Sequence, residues 1–346
     1  MLIVPHNAVA AVLDGRESDV LAVVRDAYLA HEAGLTAVKH STFLRLPGGG
    51  NRIIGLPAFV GGKDPAVGMK WIASFPANTA TGRQRASAVI VLNSPDDGRP
   101  YALVEGALIS ARRTAASAAL AAALMGGDDP DGLTLFGCGV INMEVLRFLQ
   151  VTVDGLRAVT LYDKDDGRAG WFAGRCARLV PGVPLTVANT PERALSTHRL
   201  VSVATTAAEP HIGTDACRAG TTVLHLSLRD LYPEAILGAR NVVDDPEHVC
   251  REGTSLERAA SLAGDRGFID ATIGELLAGS RRLGPDPARV SVFSPFGLGA
   301  LDIALARFVY EAASRQGLGV PVPGFLPDGM DFLDRSRPLE GASDDR

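Results

Sequence analysis

Leu133-Thr-Leu-Phe-Gly137-Cys-Gly139-Val-Ile-Asn142 is the stretch on which the fold turns. An apolar run opens into a Gly-x-Gly turn, Met143 to Val151 continues with helical spacing, and Ala158 to Tyr162 is a second apolar run ending at Asp163. That is one βαβ unit. Paired glycines let the backbone approach a pyrophosphate at a helix N-terminus, and a carboxylate roughly 20 residues on holds the adenosine ribose hydroxyls. The usual third glycine is Asn142, so the strand–helix–strand context carries the reading more than the motif does. Asp163 repels a 2′-phosphate and favours NAD over NADP, a preference that Lys164 and Arg168 soften.

Working outward, Leu185 to Ala188, Leu200 to Thr205, Thr221 to Leu228, Asn241 to Asp244 and Val290 to Phe293 are further short apolar runs separated by helical or loop segments. Their spacing predicts a doubly wound parallel sheet. Upstream, Ala86 to Asn93 and Tyr101 to Val104 flank dense turn chemistry at 94–100, a β-hairpin of a smaller sheet. Ser110 is the expected cap of an alanine-rich helix, Ala111 to Met125, that stops at Gly126-Gly127. The expected fold is α/β: a Rossmann doubly wound parallel sheet at 118–315, and a smaller α+β domain at 1–117 with 316–346, whose role in substrate binding and dimerisation is what the family resemblance given below implies. A final amphipathic helix, about Gly299 to Ser314, is expected to cover the sheet, and the chain after it to return to the first domain.

With 346 residues, 47% apolar content, 21% charge and a net charge of −5, the composition is that of an ordinary soluble globular protein. Lys and Arg are dispersed, so neither nucleic acid nor a membrane surface is an expected partner. Cys138, Cys176, Cys217 and Cys250 lack metal-ligand spacing and read as reduced thiols; no metal is expected. Cys138 reads as packing beside the cofactor turn. The N-terminus lacks a basic segment before a long apolar one, and the chain reads as cytoplasmic. Arg335 to Arg346 reads as a frayed tail.

Lys70 stands among apolar and small neighbours in Val67-Gly-Met-Lys70-Trp-Ile-Ala73: either a strand lysine facing solvent or a cleft lysine of lowered pKa. Arg113 falls in the expected first turn of the alanine-rich helix, an unhelpful place for a cation unless it faces an anion, whether a substrate carboxylate or a cofactor phosphate. Asp230 follows a strand at the carboxyl edge where open α/β sheets hold ligands; it is a candidate general base or a helix cap. His225, in the same strand, reads as a hydrogen-bonded core histidine. Arg45, alternating with apolar neighbours, and Arg85 are ambiguous by themselves.

Taken in order, these residues resemble the ornithine cyclodeaminase/mu-crystallin family over nearly the whole length. The resemblance rests on Arg45, Gly68-Met-Lys70, Pro76 to Thr79, Arg113 to Ala116, the Gly-x-Gly turn and Asp230. It implies that Arg45, Lys70 and Arg113 hold a substrate carboxylate, that Asp230 is the acid/base, and that the protein is a dimer built on its N-terminal sheet.

Asn51-Arg-Ile-Ile54, Lys70 to Pro76, Arg85-Ala-Ser-Ala88, His225 to Asp230 and Ser294-Pro-Phe-Gly-Leu-Gly299 are similar to one branch, the dehydrogenases that release 2,3-diaminopropionate for siderophores and peptide antibiotics. The implied reaction is NAD-dependent oxidation of N-(2-amino-2-carboxyethyl)-L-glutamate, with Asp230 and Lys70 catalytic and Arg45, Lys70, Arg85, Arg113 and Phe296 binding substrate. Candidate cofactor contacts are Gly137, Gly139, Val140, Ile141, Asp163, Ala204, Thr205, Ser227 and Pro295. The alternatives are ornithine cyclisation, alanine or ketimine reduction, and a non-catalytic binding role.

Overall fold

A computed structural model describes residues 1–47, 50–126, 131–153 and 155–327. Gly127 and the expected tail from Arg335 to Arg346 lie outside the described residues. The first part of the chain runs β1 (Leu2–Val4), α1 (His6–Leu13), α2 (Glu17–Glu32), β2 (Thr36–Val38), β3 (Thr42–Arg45), β4 (Arg52–Val60), β5 (Ala66–Ser74), β6 (Ala86–Asn93), β7 (Pro100–Glu105) and α3 (Ala107–Met125). Next come β8 (Leu133–Phe136), α4 (Val140–Thr152), β9 (Val159–Tyr162), α5 (Asp166–Leu179), β10 (Leu185–Val187), α6 (Pro191–Thr197), β11 (Leu200–Val203) and β12 (Thr222–His225). The rest is α7 (Pro233–Gly238), β13 (Arg240–Val243), α8 (Pro246–Val249), α9 (Ser255–Ala263), β14 (Ile269–Thr272), α10 (Ile273–Ala278), β15 (Ser291–Ser294), α11 (Gly299–Arg315) and β16 (Val320–Pro321).

Among the described residues, two eight-stranded sheets form. One is parallel throughout, in the order β10-β9-β8-β11-β12-β15-β13-β14. Strand order reverses between β8 and β11, which opens a crevice at their carboxyl ends. The α/β Rossmann expectation is borne out, and each strand expected in this sheet is present, Leu133 to Phe136 with the ends expected and the others with ends shifted by a residue or more. β14 was not foreseen: its sequence Ile-Asp-Ala-Thr is too short and too polar to stand out as an apolar run.

The other sheet is mostly antiparallel, in the order β16-β1-β7-β6-β5-β4-β2, with β3 paired to β4. The expected hairpin is β6 and β7, and the returning chain supplies β16 beside β1. α3 packs against β6 of this sheet and against β12 and β15 of the other. Its run of fully buried alanines, among them Ala115, Ala118, Ala119 and Ala121, lets neighbours close on it from several sides.

Two expectations need correction. α3 begins at Ala107, a turn earlier than a Ser110 cap allows. Glu105 supplies the missing cap, its carboxylate accepting from the backbone N–H of Ala107 at 2.7 Å and of Leu108 at 3.2 Å. Arg113 therefore sits in the second turn. α11, expected over the parallel sheet, packs instead on β4 and β5 of the antiparallel sheet and on α2. Gly68 of β5 leaves the room: a Cβ built there would lie 3.3 Å from Cδ1 of Ile303 in α11.

Candidate active site

The crevice begins at the β8–α4 turn. Gly137 has φ of +95°, and a Cβ there would lie 2.4 Å from the carbonyl oxygen of Ala204, so glycine is required for β8 to approach β11. Gly139 is the N-cap of α4 and offers no side-chain acceptor, which leaves the first N–H groups of the helix open. A Cβ on Gly139 would meet nothing within 4 Å, and Val140 beside it is exposed. The free helix end and the empty approach to it fit a dinucleotide pyrophosphate. Ile141 follows in the same turn. Asn142, in place of a third glycine, is fully buried and holds the turn from below, donating to the carbonyls of Phe136 at 3.0 Å and Gly137 at 2.7 Å.

Asp163 lies beyond β9 with its carboxylate turned back to this loop, accepting from the N–H of Cys138 at 2.8 Å and of Asp165 at 3.1 Å. Arg168 Nε donates to the Cys138 carbonyl at 2.7 Å, so that cation braces the loop. Cys138 is buried, and burial together with Asp163 pushes its thiol up to about 12, which makes it packing rather than a nucleophile.

Across the crevice, Lys70 of β5 and Arg113 of α3 meet at a residue that sequence reasoning did not select. Asp302, in the first turn of α11, is fully buried and receives Lys70 Nζ at 2.6 Å and Arg113 Nε at 3.1 Å. Ser110 Oγ accepts from both cations, at 3.2 Å from Lys70 and 3.4 Å from Arg113. Burial lowers the Lys70 ammonium to about 8, with Arg113 adding to the shift and Asp302 opposing it. Burial alone would raise Asp302, yet Arg113 and Lys70 hold it below the usual carboxylate range. Two cations around one carboxylate leave a surplus positive charge in a dry place, which suits a second, incoming carboxylate. An acidic residue amid the apolar positions of the α11 sequence was the signal available for Asp302.

Asp230, past the end of β12, is fully buried. Its two oxygens accept hydrogen bonds from Thr205 Oγ1 and Ser227 Oγ. His225 Nε2 stands 3.5 Å from its carboxylate and 3.3 Å from its backbone nitrogen. Burial by itself would raise the Asp230 carboxyl, but His225, Ser227 and Thr205 together hold it below the ordinary value. His225 is thus the buried, hydrogen-bonded histidine expected, with the proposed acid/base as its partner. Thr205 follows Ala204, whose N–H is bound to the Phe136 carbonyl, so the Asp230 donors stand beside the glycine turn.

His225 also reaches Ser294 Oγ, at 3.2 Å, on the last residue of β15, where a loop leaves the strand. That loop is pinned by Asp244, whose carboxylate accepts from the N–H groups of Phe296 at 2.9 Å and Gly297 at 2.6 Å. Gly297, at φ +91°, lies against the Arg113 guanidinium: a Cβ there would be 2.4 Å from Nη1. Pro295 and Phe296 therefore stand between the Lys70–Arg113–Asp302 group and the His225–Asp230 pair. Arg45 and Arg85 do not join that group. Arg45 is exposed and its Nη2 binds Glu252 at 2.6 Å, while Arg85 Nη1 donates to Ser74 Oγ at 3.3 Å.

The model of the ornithine cyclodeaminase/mu-crystallin family matches residues 14–317. An N-((2S)-2-amino-2-carboxyethyl)-L-glutamate dehydrogenase of Staphylococcus aureus is 29% identical over 272 residues, 78% of this chain and 81% of that protein. The Delta(1)-pyrroline-2-carboxylate reductase of Thermococcus litoralis, solved with NADH and L-proline, superposes with a TM-score of 0.87 at 26% identity, covering 93% of this chain and 100% of that one. An archaeal alanine dehydrogenase dimer with bound NAD shares the fold with a TM-score of 0.84 at 24% identity, covering 94% of this chain and 99% of that one. Matched over most of its length, with two solved structures sharing its fold from end to end, the chain belongs to the ornithine cyclodeaminase/mu-crystallin family.

Proposed function

We propose that the protein oxidises N-(2-amino-2-carboxyethyl)-L-glutamate with NAD and hydrolyses the product to 2-oxoglutarate and 2,3-diaminopropionate. It is an NAD-dependent enzyme acting on a carbon–nitrogen bond of an amino acid. The observation that carries the reading is the buried pairing of Lys70 and Arg113 at Asp302, joined through residues 294–297 to the buried, hydrogen-bonded Asp230. The Staphylococcus aureus relative supports the particular substrate.

NAD, when bound in the crevice, would supply the acceptor for the hydride of the glutamate α-carbon. Asp230 takes the amine proton on a carboxylate oxygen as the hydride leaves and returns it to the imine nitrogen, so that its freed carboxylate can deprotonate the attacking water; it then gives that second proton to the carbinolamine nitrogen and takes the hydroxyl proton as the keto acid and the free amine separate. Thr205 and Ser227 fix the carboxylate between these two tasks. Lys70 and Arg113 orient the α-carboxylate and so present the reacting carbon, and the loop at Pro295 and Phe296 excludes water from one side. Gly137, Gly139, Val140, Ile141, Asp163, Ala204, Thr205 and Ser227 are the residues that would hold the dinucleotide.

The exposed Leu44 and Trp71 of the antiparallel sheet support a homodimer built on that sheet. The four free cysteines support a cytoplasmic location, and the product suits siderophore or antibiotic assembly. The test is NADH formation from NAD and N-(2-amino-2-carboxyethyl)-L-glutamate, with ornithine and alanine in parallel and products identified by mass. Stoichiometric NADH with 2-oxoglutarate and 2,3-diaminopropionate is expected. Proline and ammonia from ornithine alone would move the enzyme to the cyclodeaminases, and no turnover of any of the three would refute the reading.

A further inference from the structure

Four arginines converge at one end of the antiparallel sheet. Arg45 pairs with Arg52, Arg52 with Ser74, and Ser74 with Ala86 across β3, β4, β5 and β6. Directly opposed residues of antiparallel strands point to the same face, so Arg45, Arg52 and Ser74 form one row. Arg85, just before Ala86, swings its Nη1 onto Ser74 Oγ at 3.3 Å. Lys70 is on the strand and face of Ser74, four residues away, which is about 13 Å at the rise of a strand.

From the Rossmann side comes Arg229, adjacent to Asp230. Its Nη2 donates to the Glu252 carbonyl at 2.6 Å, while the Glu252 carboxylate takes Arg45 at 2.6 Å. Glu252 thereby ties the strand row to the neighbour of the acid/base. Its backbone lies in the left-handed region at φ +61°, rare for glutamate. Arg52 Nε is buried and has no hydrogen-bond partner among the described residues. Among the described residues, four guanidinium groups face two carboxylates here, Glu252 and Asp230, a surplus of two positive charges. Burial and mutual repulsion push Arg52, Arg85 and Arg229 below the usual arginine value; the groups stay charged, and an arriving anion would relieve the cost.

We propose that Arg52, Arg85 and Arg229 form a second anion subsite of the active site, built for the remote carboxylates of a substrate that carries several. This deepens the dehydrogenase reading and rests on it for the placement of the reacting carboxylate at Lys70 and Arg113. The two clusters then divide the work. The single surplus charge at Asp302 takes the carboxylate beside the reacting carbon, and the surplus of two takes the others, an arrangement that selects against monocarboxylate amino acids such as alanine or proline.

The experiment is calorimetric titration of the NADH-loaded protein with tricarballylate, which has three carboxylates, and propionate, which has one. Tricarballylate is expected to bind at least about tenfold tighter than propionate. Arg52→Gln and Arg229→Gln should each remove about tenfold of that advantage with propionate and NADH binding retained, and Arg52→Lys should keep most of it. NADH binding reports that each variant is folded, and if one variant fails to fold the other decides. Equal affinity for the two probes in the unaltered protein, or variants that keep the full advantage, would overturn the subsite. If N-(2-amino-2-carboxyethyl)-L-glutamate gives no NADH while the arginine-dependent advantage persists, the subsite stands and only the proposed substrate falls.

Discussion

Lys70 Nζ lies 2.6 Å from Oδ2 of Asp302, and both side chains are sealed from solvent. The lysine comes from β5 and the aspartate from the first turn of α11, so the contact that readies the substrate site also seats α11 on the antiparallel sheet. Arg113 of α3 closes the same group at 3.1 Å.

Removing the carboxylate should strand two buried cations. Asp302→Asn is expected to cost about 3–5 kcal/mol of stability. The substrate KM should rise as well, because Lys70 and Arg113 lose the partner that aims them. Urea unfolding and steady-state kinetics measure the two effects. A variant as stable as the parent would contradict the account of Asp302 as their shared counter-ion.

The Lys70 ammonium titrates near 8 in the folded protein against 10.5 when free. Between those values the unfolded chain binds more protons than the folded one, so this group's contribution to stability rises with pH across that window. Carboxylate binding runs the other way, because the charged form is the one that binds. The kcat/KM profile should show an alkaline limb near pH 8, and Lys70→Arg should move it upward. A profile flat to pH 10 would place the charge elsewhere.

Asp230→Asn should reduce NADH formation by about 10²–10⁴-fold with NADH binding intact. The carboxyl is held below 3.8 by its donors, so its charged form and the stability it confers persist as pH falls through the ordinary carboxylate range and are lost only below it. Ser227→Ala deletes one donor and should carry the acid limb of kcat/KM upward. An unmoved limb in Ser227→Ala would mean that this hydroxyl does not tune the base.

Gly139→Ala separates folding from cofactor binding. The added methyl meets nothing within 4 Å in the protein itself, so Tm should hold, yet it projects where the pyrophosphate would lie and should weaken NADH binding by tenfold or more. Gly137→Ala should instead lower Tm, since its Cβ would collide with the Ala204 carbonyl at 2.4 Å. Fluorescence titration and thermal melts distinguish them, and unchanged NADH affinity in Gly139→Ala would move the cofactor off this turn.

The βαβ unit from Leu133 to Asp163 was legible in the sequence because its determinants are local: apolar runs of strand length, glycines at a tight turn, and a carboxylate at the next strand end. Lys70, Arg113 and Asp230 stood out singly for the same reason, as charged residues in apolar or capping contexts. What joins them was not legible. Lys70 and Asp302 are 232 positions apart, Arg45 and Glu252 are 207 apart, and Arg113 and Asp302 are 189 apart. Whether a charge is paired, and with which partner, depends on how much water the surrounding elements exclude and on which strands and helices meet there. The sequence by itself determined the parallel sheet, the nucleotide turn and the residue types of the site; only the tertiary structure decided that α11 leaves the parallel sheet to carry Asp302 under Lys70, and that four arginines share one end of the cleft. Backbone geometry answers to neighbours along the chain, whereas desolvation and charge pairing answer to neighbours in space.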